Sequence, residues 1–384
     1  MANRKIAIFD YKVVPTNAIG SCHLRILKQL CREYKFTVFA VEFDNPDPER
    51  IEWVRIPAPT RPLALLFIVY HLLAPLYYMF YRLRHGIRFD AIQVIESNLA
   101  FGDVAYVHFC HRHYLKHQFF PSGPKGLRGL LRFLDHQLHA WVEPWVFRRA
   151  KALVVVSNGG ARELEREYPF VKSKLKVISN SVDVEQMSRP RDFDRLSFRR
   201  NLGVQDNDFV IVFAALGHFE RKGLPLLMQA ISRRGRQEVK LLVVGGEPDL
   251  VKTYRQQAGG LGIADQVIFT GMQQDVRPYL WCADAFALPS AYEVFSLIGL
   301  EAAAAGLPAL ITQLNGVEEY ITPENGILVA RTVESIEEGL EKLLTLTPGE
   351  RTRMGENARA SVQVYSSERF AAAWRDFYKT SNVA

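Results

Sequence analysis

Two glutamates stand eight residues apart in a window whose residue types suit binding of a phosphorylated ligand. The window is PSAYEVFSLIGLEAAAAGLP, residues 289–308, in which a strand ends at Ser290 and a helix is predicted to begin near Phe295. Free N–H groups and the positive dipole end make a helix N-terminus an anion site. We expect a nucleoside diphosphate there, with Glu301 accepting from ribose hydroxyls and Glu293 from a hydroxyl beyond the diphosphate. The alternative is that neither glutamate binds a ligand, so that Glu293 is only a residue at the start of the helix and Glu301 is a solvent-exposed helix residue.

A second segment, GHFERKGLPLLMQAI at residues 217–231, places basic residues at the start of another predicted helix. Lys222 beside a helix N-terminus suits a diphosphate, and Arg221 adds a forked donor. An exposed basic loop pair is the alternative. Neither segment is a P-loop, because Gly-x4-Gly-Lys-Ser/Thr does not occur in the sequence.

Two further segments of the first half could reach a ligand. AYVHFCHRHYL, residues 105–115, follows a predicted strand and contains His108 and His111. Their spacing suggests a metal site, but the sequence shows neither HExxH nor a third ligand, so we expect no metal. The loop after the first predicted strand holds Gly20 before a helix. Two interpretations of this loop fit the sequence equally well: it binds the ligand, or it only caps the helix.

Strands alternating with helices must position these residues. Strands are predicted at 5–11, 36–43, 89–95, 103–109, 151–157, 175–183, 207–215, 238–246, 266–271, 285–290 and 307–312. This alternation predicts an α/β fold with two doubly wound, Rossmann-like parallel sheets that face a cleft. A polar stretch at 184–207 is interpreted as a linker with a short helix. We therefore expect one domain at 1–190, a second domain at 191–365, and a terminal helix, about 366–384, packed on the first domain.

The charge is uneven along the chain. Residues 1–190 hold 27 Lys/Arg and 17 Asp/Glu, whereas residues 191–384 hold 21 and 24. Residues 112–151 alternate apolar and aromatic residues with 8 basic and only 2 acidic ones. An anionic membrane surface or an acceptor is the expected partner of this half. No nucleic-acid module is recognisable, so no nucleic-acid partner is expected.

Residues 62–83, PLALLFIVYHLLAPLYYMFYRL, carry no charge before Arg82. Length alone allows a membrane span, but His71 and Pro75 interrupt the segment and arginines flank both ends. Three interpretations stay open: a buried or partly exposed helix, a helix in the membrane interface, and a span.

Composition excludes several classes of protein. The 384 residues are 48% hydrophobic and 23% charged, which is typical of a folded protein rather than a disordered or fibrous one. The four cysteines are widely separated and match neither a disulfide framework nor a zinc spacing, which favours a reducing compartment. The N-terminus lacks a signal-peptide pattern. We expect a cytoplasmic protein, peripheral on the inner face of the membrane if it binds lipid.

The window at 289–308 resembles the motif of retaining glycosyltransferases of family 4, which have the GT-B fold. It reads Pro-Ser-x-Tyr-Glu, then a Phe two residues later, then Leu-Glu-Ala-x-Ala-x-Gly-x-Pro. The resemblance covers nearly the whole chain. It implies a UDP- or GDP-sugar co-substrate, no cofactor and metal-independent hexosyl transfer. It also implies that 1–190 is the acceptor-binding domain and 191–365 the nucleotide-sugar-binding domain. The chain departs from the family at Val294 and Ser296, where glycines are usual. The site residues that the resemblance implies are His111, Lys222 and Glu293 as catalytic residues, and Gly20, Arg221, Met272, Gln273, Phe295, Ser296, Leu297 and Glu301 as further donor-binding residues.

The expected reaction is sugar transfer to a hydroxyl acceptor, with a lipid-linked or cell-envelope glycan as the preferred acceptor. Two alternatives remain open at this stage. One is a nucleotide-sugar epimerase on the same architecture, which needs no acceptor. The other is a donor-binding protein without turnover.

Overall fold

The computed structural model describes residues 4–123 and 126–380. Lys125 of the basic segment and residues 381–384 of the predicted terminal helix lie outside the described part. The chain forms two compact units: the first runs to Asn180 and resumes at Ser367, and the second spans Ser181–Ser366.

The first unit is built on seven parallel strands in the order β5-β3-β1-β6-β7-β8-β9. Buried apolar runs such as KIAIF and ALVV form these strands, as expected for a parallel sheet covered on both faces. The order runs one way from β1 to β5 and the other way from β6 to β9, so β1 and β6 flank the switch point. The elements are β1 (Lys5–Phe9), β2 (Lys12–Val13), α1 (Ala18–Leu30), β3 (Lys35–Ala40), β4 (Glu42–Phe43), β5 (Ile51–Arg55), α2 (Leu63–His85), β6 (Ala91–Ile95), β7 (Val104–Val107), α3 (His111–His117), α4 (Phe119–Ser122), α5 (Gly126–Arg149), β8 (Ala152–Val155), α6 (Asn158–Glu167), a 3-10 turn (Pro169–Lys174) and β9 (Leu175–Val177).

The second unit has a six-stranded parallel sheet in the order β12-β11-β10-β13-β14-β15. Its switch point lies between β10 and β13, which pair in parallel with Ile211 opposite Ala285. The elements are α7 (Val184–Met187), α8 (Arg195–Asn201), β10 (Phe209–Ala214), α9 (Phe219–Lys222), α10 (Leu224–Arg234), β11 (Val239–Val244), α11 (Pro248–Gly260), a 3-10 turn (Ala264–Gln266), β12 (Val267–Gly271), α12 (Arg277–Cys282), β13 (Ala285–Leu288), α13 (Leu297–Ala304), β14 (Ala309–Thr312), a 3-10 turn (Val317–Glu319), β15 (Gly326–Val329), α14 (Val333–Thr345), α15 (Pro348–Ser361) and a 3-10 turn (Gln363–Tyr365).

The last helix, α16 (Ser367–Thr380), belongs to the first unit. Its Trp374 is fully buried, with the ring centroid 4.9 Å from that of Tyr106 on β7. The Tyr378 hydroxyl donates to the side-chain oxygen of Gln93 on β6 at 2.7 Å. Helix α16 therefore covers one face of a sheet whose strands all lie before Asn180.

The segment predicted to be a linker, 184–207, is part of the second unit, so the expected boundary at 190 falls inside that unit. Arg199 is buried and pairs with Asp284 at 2.6 Å. Met187 accepts a hydrogen bond from the Trp281 indole at 2.7 Å. Arg195 and Arg199 thus anchor the segment to Asp284, whereas most of its other polar residues are exposed.

Helices α2 and α5 cover the same face of the first sheet. Both follow crossovers that run in one direction along the sheet, and right-handed crossovers place such helices on one side. Phe67 and Tyr70 of α2 and Val146 of α5 share one buried cluster with Phe9 of β1. Helix α2 is also long and apolar enough to span a membrane.

Candidate functional site

The carboxyl ends of β10 and β13 bring the two predicted basic and acidic segments together. Ala291 N, in the loop after β13, donates to the carbonyl oxygen of Arg221 at 2.8 Å. The Arg221 guanidinium donates to the carbonyl oxygen of Tyr292 at 2.7 Å. Residues far apart in sequence thus form one site at the switch point of the second sheet, where open α/β sheets bind ligands.

Lys222 and Glu293 form an ion pair at this site. Lys222 Nζ lies 2.5 Å from Glu293 Oε1, and the same oxygen accepts from the Ser290 hydroxyl at 2.7 Å. Arg221 Nη1 lies 3.9 Å from that oxygen. The Lys222 and Glu293 side chains are only 16% and 10% exposed. The pair therefore concentrates charge in a poorly solvated place.

Burial and charge oppose each other at this pair. Burial alone would raise the pKa of Glu293, but the charges of Lys222 and Arg221 outweigh it and hold the pKa below its usual value. Burial lowers the pKa of Lys222, and the Glu293 carboxylate opposes that shift. The site therefore holds a carboxylate acceptor beside cationic donors.

Gly223 allows the two loops to approach. Its φ is +84°, and a Cβ added there would lie 2.0 Å from the carbonyl oxygen of Pro289. No other residue fits both the backbone conformation and the contact. Glycine directly after Lys222 is therefore a packing requirement of the site.

Helix α13 begins at Leu297, two residues after the predicted start at Phe295. Ser296 is its N-cap, with φ −76°, and its hydroxyl accepts from Gly299 N at 3.2 Å. Serine thus suits this position, where the family usually has glycine. The Phe295 ring is buried against Tyr320 and Tyr365, so only backbone atoms of Phe295 can face a ligand.

The remaining predicted donor-binding residues of this unit also lie at the carboxyl edge of the sheet. Glu301 is half-buried on α13, in its second turn. Met272 and Gln273 follow β12, and Gln273 donates to the carbonyl oxygen of Thr270 at 2.8 Å. Since β12 is two strands from β10, the end of β12 lies roughly 10 Å along the edge from the end of β10, the strand that precedes α9.

In the first unit, His111 begins α3 within a buried polar network. His111 Nε2 lies 3.2 Å from Glu96 Oε2, and Nδ1 lies 2.9 Å from Nδ1 of His136. Burial lowers the pKa of His111, and burial together with Asp10 raises the pKa of Glu96 to about 8. At pH 7 a neutral imidazole therefore faces a protonated carboxyl group.

Sequence reasoning missed both carboxylates that hold His111. Glu96 has φ +46°, an uncommon conformation for a non-glycine residue and one that concentrates at functional sites. Glu143 on α5 accepts from the backbone N–H of His111 at 2.6 Å and of Arg112 at 3.2 Å, so it caps α3. The triplet Glu-Ser-Asn directly after β6 is the signal that could have found Glu96, whereas Glu143 lies in an ordinary helical pattern.

Gly20 lies in the first turn of α1, where Asn17 caps the helix and accepts from Gly20 N at 2.9 Å. A Cβ there would lie 1.9 Å from the carbonyl oxygen of Lys12 on β2. The close packing of α1 on β2 therefore explains why glycine occupies position 20. Its expected contact with a donor remains a prediction.

One group of side chains in the described residues has the spacing of a metal site, and it is not the His108–His111 pair. It consists of His113, His117 and Glu167, with ligand atoms within 4.8 Å of one another. The Glu167 carboxylate, however, pairs with Lys116 at 2.6 Å and lies 3.7 Å from Arg112 Nε. These cations compensate the carboxylate without an ion.

Comparisons with known proteins agree with this architecture. Solved structures with the same fold include WaaG, a glycosyltransferase involved in lipopolysaccharide biosynthesis, at TM-score 0.78 and 20% identity, covering 98% of this chain and 100% of that one. Another is Anabaena HepE in complex with UDP and glucose, at TM-score 0.74 and 19% identity, covering 98% and 100%. The fold is therefore GT-B, with two Rossmann-like units.

Family models assign the chain more closely. Residues 22–186 match the model "Glycosyltransferase Family 4", and residues 194–361 match "Glycosyl transferases group 1". The two matches cover successive parts of the chain, which belongs to glycosyltransferase family 4.

Characterised and uncharacterised relatives share part of their length with the chain. An uncharacterised glycosyltransferase of Methanocaldococcus jannaschii is 30% identical over 239 residues, 59% of each chain. The D-inositol 3-phosphate glycosyltransferase of Xylanimonas cellulosilytica is 29% identical over 245 residues, 62% of this chain and 58% of its own. A lipopolysaccharide core biosynthesis glycosyltransferase of Rhizobium meliloti is 31% identical over 183 residues, 43% of this chain and 48% of its own. The chain thus aligns with about half to three-fifths of these relatives.

Proposed function

We propose that this protein transfers a sugar from a nucleoside-diphosphate sugar to a hydroxyl acceptor and retains the anomeric configuration of the donor. The observation that carries the proposal is the Lys222–Glu293 pair, 2.5 Å apart at the switch point of the second sheet and just before α13. Cationic donors and a carboxylate acceptor are what a charged diphosphate and a hydroxylated sugar require.

In this proposal the donor binds the second unit. Lys222, Arg221 and the N-terminus of α13 stabilise the charge that develops on the leaving diphosphate. The Glu293 carboxylate accepts a hydrogen bond from a sugar hydroxyl, which weakens its ion pair with Lys222, and this hydrogen bond orients the sugar. Glu301 binds the ribose, and backbone atoms near Met272 and Gln273 contact the base.

The acceptor is proposed to use the first unit, with His111 as the residue that contacts the reacting sugar. Both ring nitrogens of His111 have protein partners, Glu96 and His136, so in this proposal the neutral imidazole exchanges one of them for the sugar. The preferred acceptor is a lipid-linked or cell-envelope glycan. The names of WaaG and of the Rhizobium meliloti relative, both connected with lipopolysaccharide biosynthesis, support this class.

We further propose that catalysis needs neither a resident cofactor nor a metal, and that the protein works in the cytoplasm at the inner face of the membrane. The charge for the leaving group comes from Lys222 and Arg221. The HepE complex with UDP and glucose favours UDP as the base, with GDP as the second choice.

The first experiment is a thermal-shift comparison of UDP, GDP and ADP, each with and without EDTA. A ligand at about 100 times its dissociation constant adds roughly 2.7 kcal/mol, which raises the melting temperature measurably. We expect one nucleotide to raise it equally with and without EDTA. Loss of the shift with EDTA overturns metal independence.

The second experiment follows the corresponding sugar nucleotide by NMR with and without a glycan acceptor. Transfer with the donor's anomeric configuration supports the proposal. Inversion at the anomeric carbon contradicts retention, epimerisation without acceptor supports the isomerase alternative, and binding without any turnover supports a donor-binding protein.

A further inference from the structure

Helix α2 exposes a continuous apolar stripe. Its exposed members recur every three or four residues and therefore share one side of the helix. They are Leu65, Ile68, Leu72, Leu76, Met79, Phe80 and Leu83. Leu72 and Leu83 are 64% and 76% exposed. At 1.5 Å per residue the stripe is about 27 Å long, which is large for solvent-exposed apolar surface.

Helix α5 exposes a second stripe with the same period. Its members are Leu127, Leu130, Leu131, Leu134, Trp141 and Trp145. Trp141 is 73% exposed. Because α2 and α5 pack together over one face of the first sheet, both stripes lie on the outer side of that helix layer. We call these two stripes the α2–α5 face.

The opposite side of α2 is part of the protein core. Leu66, Phe67 and Ala74 are buried against the sheet, and the Tyr70 hydroxyl donates to the carbonyl oxygen of Phe39 at 2.6 Å. A span would have to remove these side chains from the core and uncover the sheet. Helix α2 therefore stays on the first unit and offers only its outer side.

The charges near the face are basic. The sequence has no Asp or Glu between Glu52 and Asp90, while Arg82, Arg84 and Arg88 are exposed at the end of α2. Helix α5 ends in exposed Arg148 and Arg149. Its two acidic residues, Asp135 and Glu143, are buried. The exposed charge that flanks both stripes is therefore positive.

We infer that the α2–α5 face docks on an anionic lipid bilayer, with α2 and α5 lying in the interface and their arginines on the lipid headgroups. Leucines enter the acyl boundary, tryptophans suit the headgroup level, and arginines attract anionic lipid. A second copy is the less suitable occupant, because a two-fold contact would bring the same basic patch against itself without an acidic partner. The inference extends the proposed function, since a lipid-linked acceptor is reached at such a surface.

The test is cosedimentation of the full chain with phosphatidylcholine vesicles that contain 30% phosphatidylglycerol, compared with phosphatidylcholine alone. We expect binding to the anionic vesicles that weakens as salt is raised. The variant L72S/L76S should bind at least tenfold more weakly. The control L196S/V364S changes two residues of the second unit that are 45% and 51% exposed, and it should bind like the wild type.

Two further variants separate charge from insertion. R84Q/R88Q should weaken binding about fivefold for each arginine at low salt, since one basic residue near an anionic surface contributes about 1 kcal/mol. Brominated lipids should quench the tryptophan fluorescence of the wild type, and W141F/W145F should lose most of that quenching.

Three results would overturn the inference. They are no vesicle binding at low salt, equal binding of L72S/L76S and its control, or a lipid-free dimer in sedimentation velocity that L72S/L76S dissociates. The last result would assign the face to a second copy. Nucleotide thermal shifts measured on every variant keep the two proposals apart. A wild type that binds vesicles but no nucleotide contradicts the proposed function alone, and one that binds nucleotide but no vesicles contradicts the docking alone.

Discussion

At the scale of single residues, the candidate donor site depends on one ion pair. Lys222 and Glu293 compensate each other, with Ser290 as a further donor to the carboxylate. Removing either partner leaves the other charge poorly solvated and without its counter-ion, which is costly. A ligand that replaced these contacts would need an anionic group for Lys222 and a hydrogen-bond donor for Glu293.

Substitution of this pair should impair turnover more than folding. We expect Lys222→Ala and Glu293→Ala each to lower the rate of sugar transfer at least tenfold while far-UV circular dichroism stays native. The controls are Lys342→Ala and Glu338→Ala on the exposed side of α14 in the same unit. Wild-type rates in either site variant would contradict the site assignment.

Glu96 should make stability depend on pH. Burial raises its pKa to about 8 in the folded protein, so below pH 4.5 both states are protonated and Glu96 costs nothing. As pH rises from 4.5 to 8 only the unfolded state ionises, and folding loses up to about 4 kcal/mol. Glu96→Gln should therefore become more stable than the wild type over that range.

Urea unfolding at pH 4.5 and pH 8 measures this difference. The control Glu52→Gln, exposed on β5, should change the free energy of unfolding equally at both pH values. An equal effect of Glu96→Gln at both pH values would show that folding does not raise the pKa of Glu96.

Sequence reasoning found the residues of the donor site better than those around His111. Lys222, Glu293 and Ser296 lie in short sequence motifs, and each motif can be recognised without knowing the rest of the fold. Glu143 reaches His111 from a distant helix, and only the packing of α5 on α3 reveals it. The roles of all these residues as ligand contacts, those of His111 and Gly20 included, remain predictions.

At the scale of elements, the glycine between α9 and α10 controls the distance between two loops. Gly223 combines a left-handed backbone with a close approach to Pro289, whereas Gly235 has φ +61° and no heavy atom near its added Cβ. The two positions separate backbone strain from steric contact.

Gly223→Ala should destabilise the protein well beyond the roughly 1 kcal/mol expected for a left-handed alanine. Gly235→Ala should show only that smaller cost. Gly223→Ala should also weaken nucleotide binding, because the Pro289 loop must move. Chemical unfolding and nucleotide thermal shifts measure both effects, and equal unfolding costs at the two positions would contradict the contact.

Most strands were predictable because parallel strands are continuous apolar runs of the kind seen at 209–214 and 239–244. Two edge strands were not predicted. β5 has the sequence IEWVR, in which exposed polar residues interrupt the pattern, whereas β15 is an apolar run, GILV, as long as the predicted β13 and β14. The strand character of β5 comes from pairing with β3, which no local pattern records, and β15 pairs with β14.

At the scale of the whole molecule, the first unit is formed by two separate stretches of the chain, and the second unit lies between them in sequence. Trp374 of α16 contributes a fully buried indole to that unit. Trp374→Ala should lower its stability by about 3–5 kcal/mol, as for other large aromatic deletions.

In the proposed function the nucleotide binds the second unit, so the nucleotide-induced stabilisation of Trp374→Ala should remain. Denaturant unfolding followed with and without nucleotide measures the two effects separately. The exposed control Lys379→Ala should alter neither. Loss of both stability and nucleotide response would show that the two units unfold as one.

The position of α16 has a consequence for biosynthesis. A ribosome releases the seven strands of the first unit long before it releases the helix that covers one of their faces. The second unit, which is continuous, can complete its fold while the first still exposes the surface around Tyr106 and Gln93. The first unit therefore completes its fold after the second one, and until α16 has emerged the uncovered face of its sheet is open to contact with other chains.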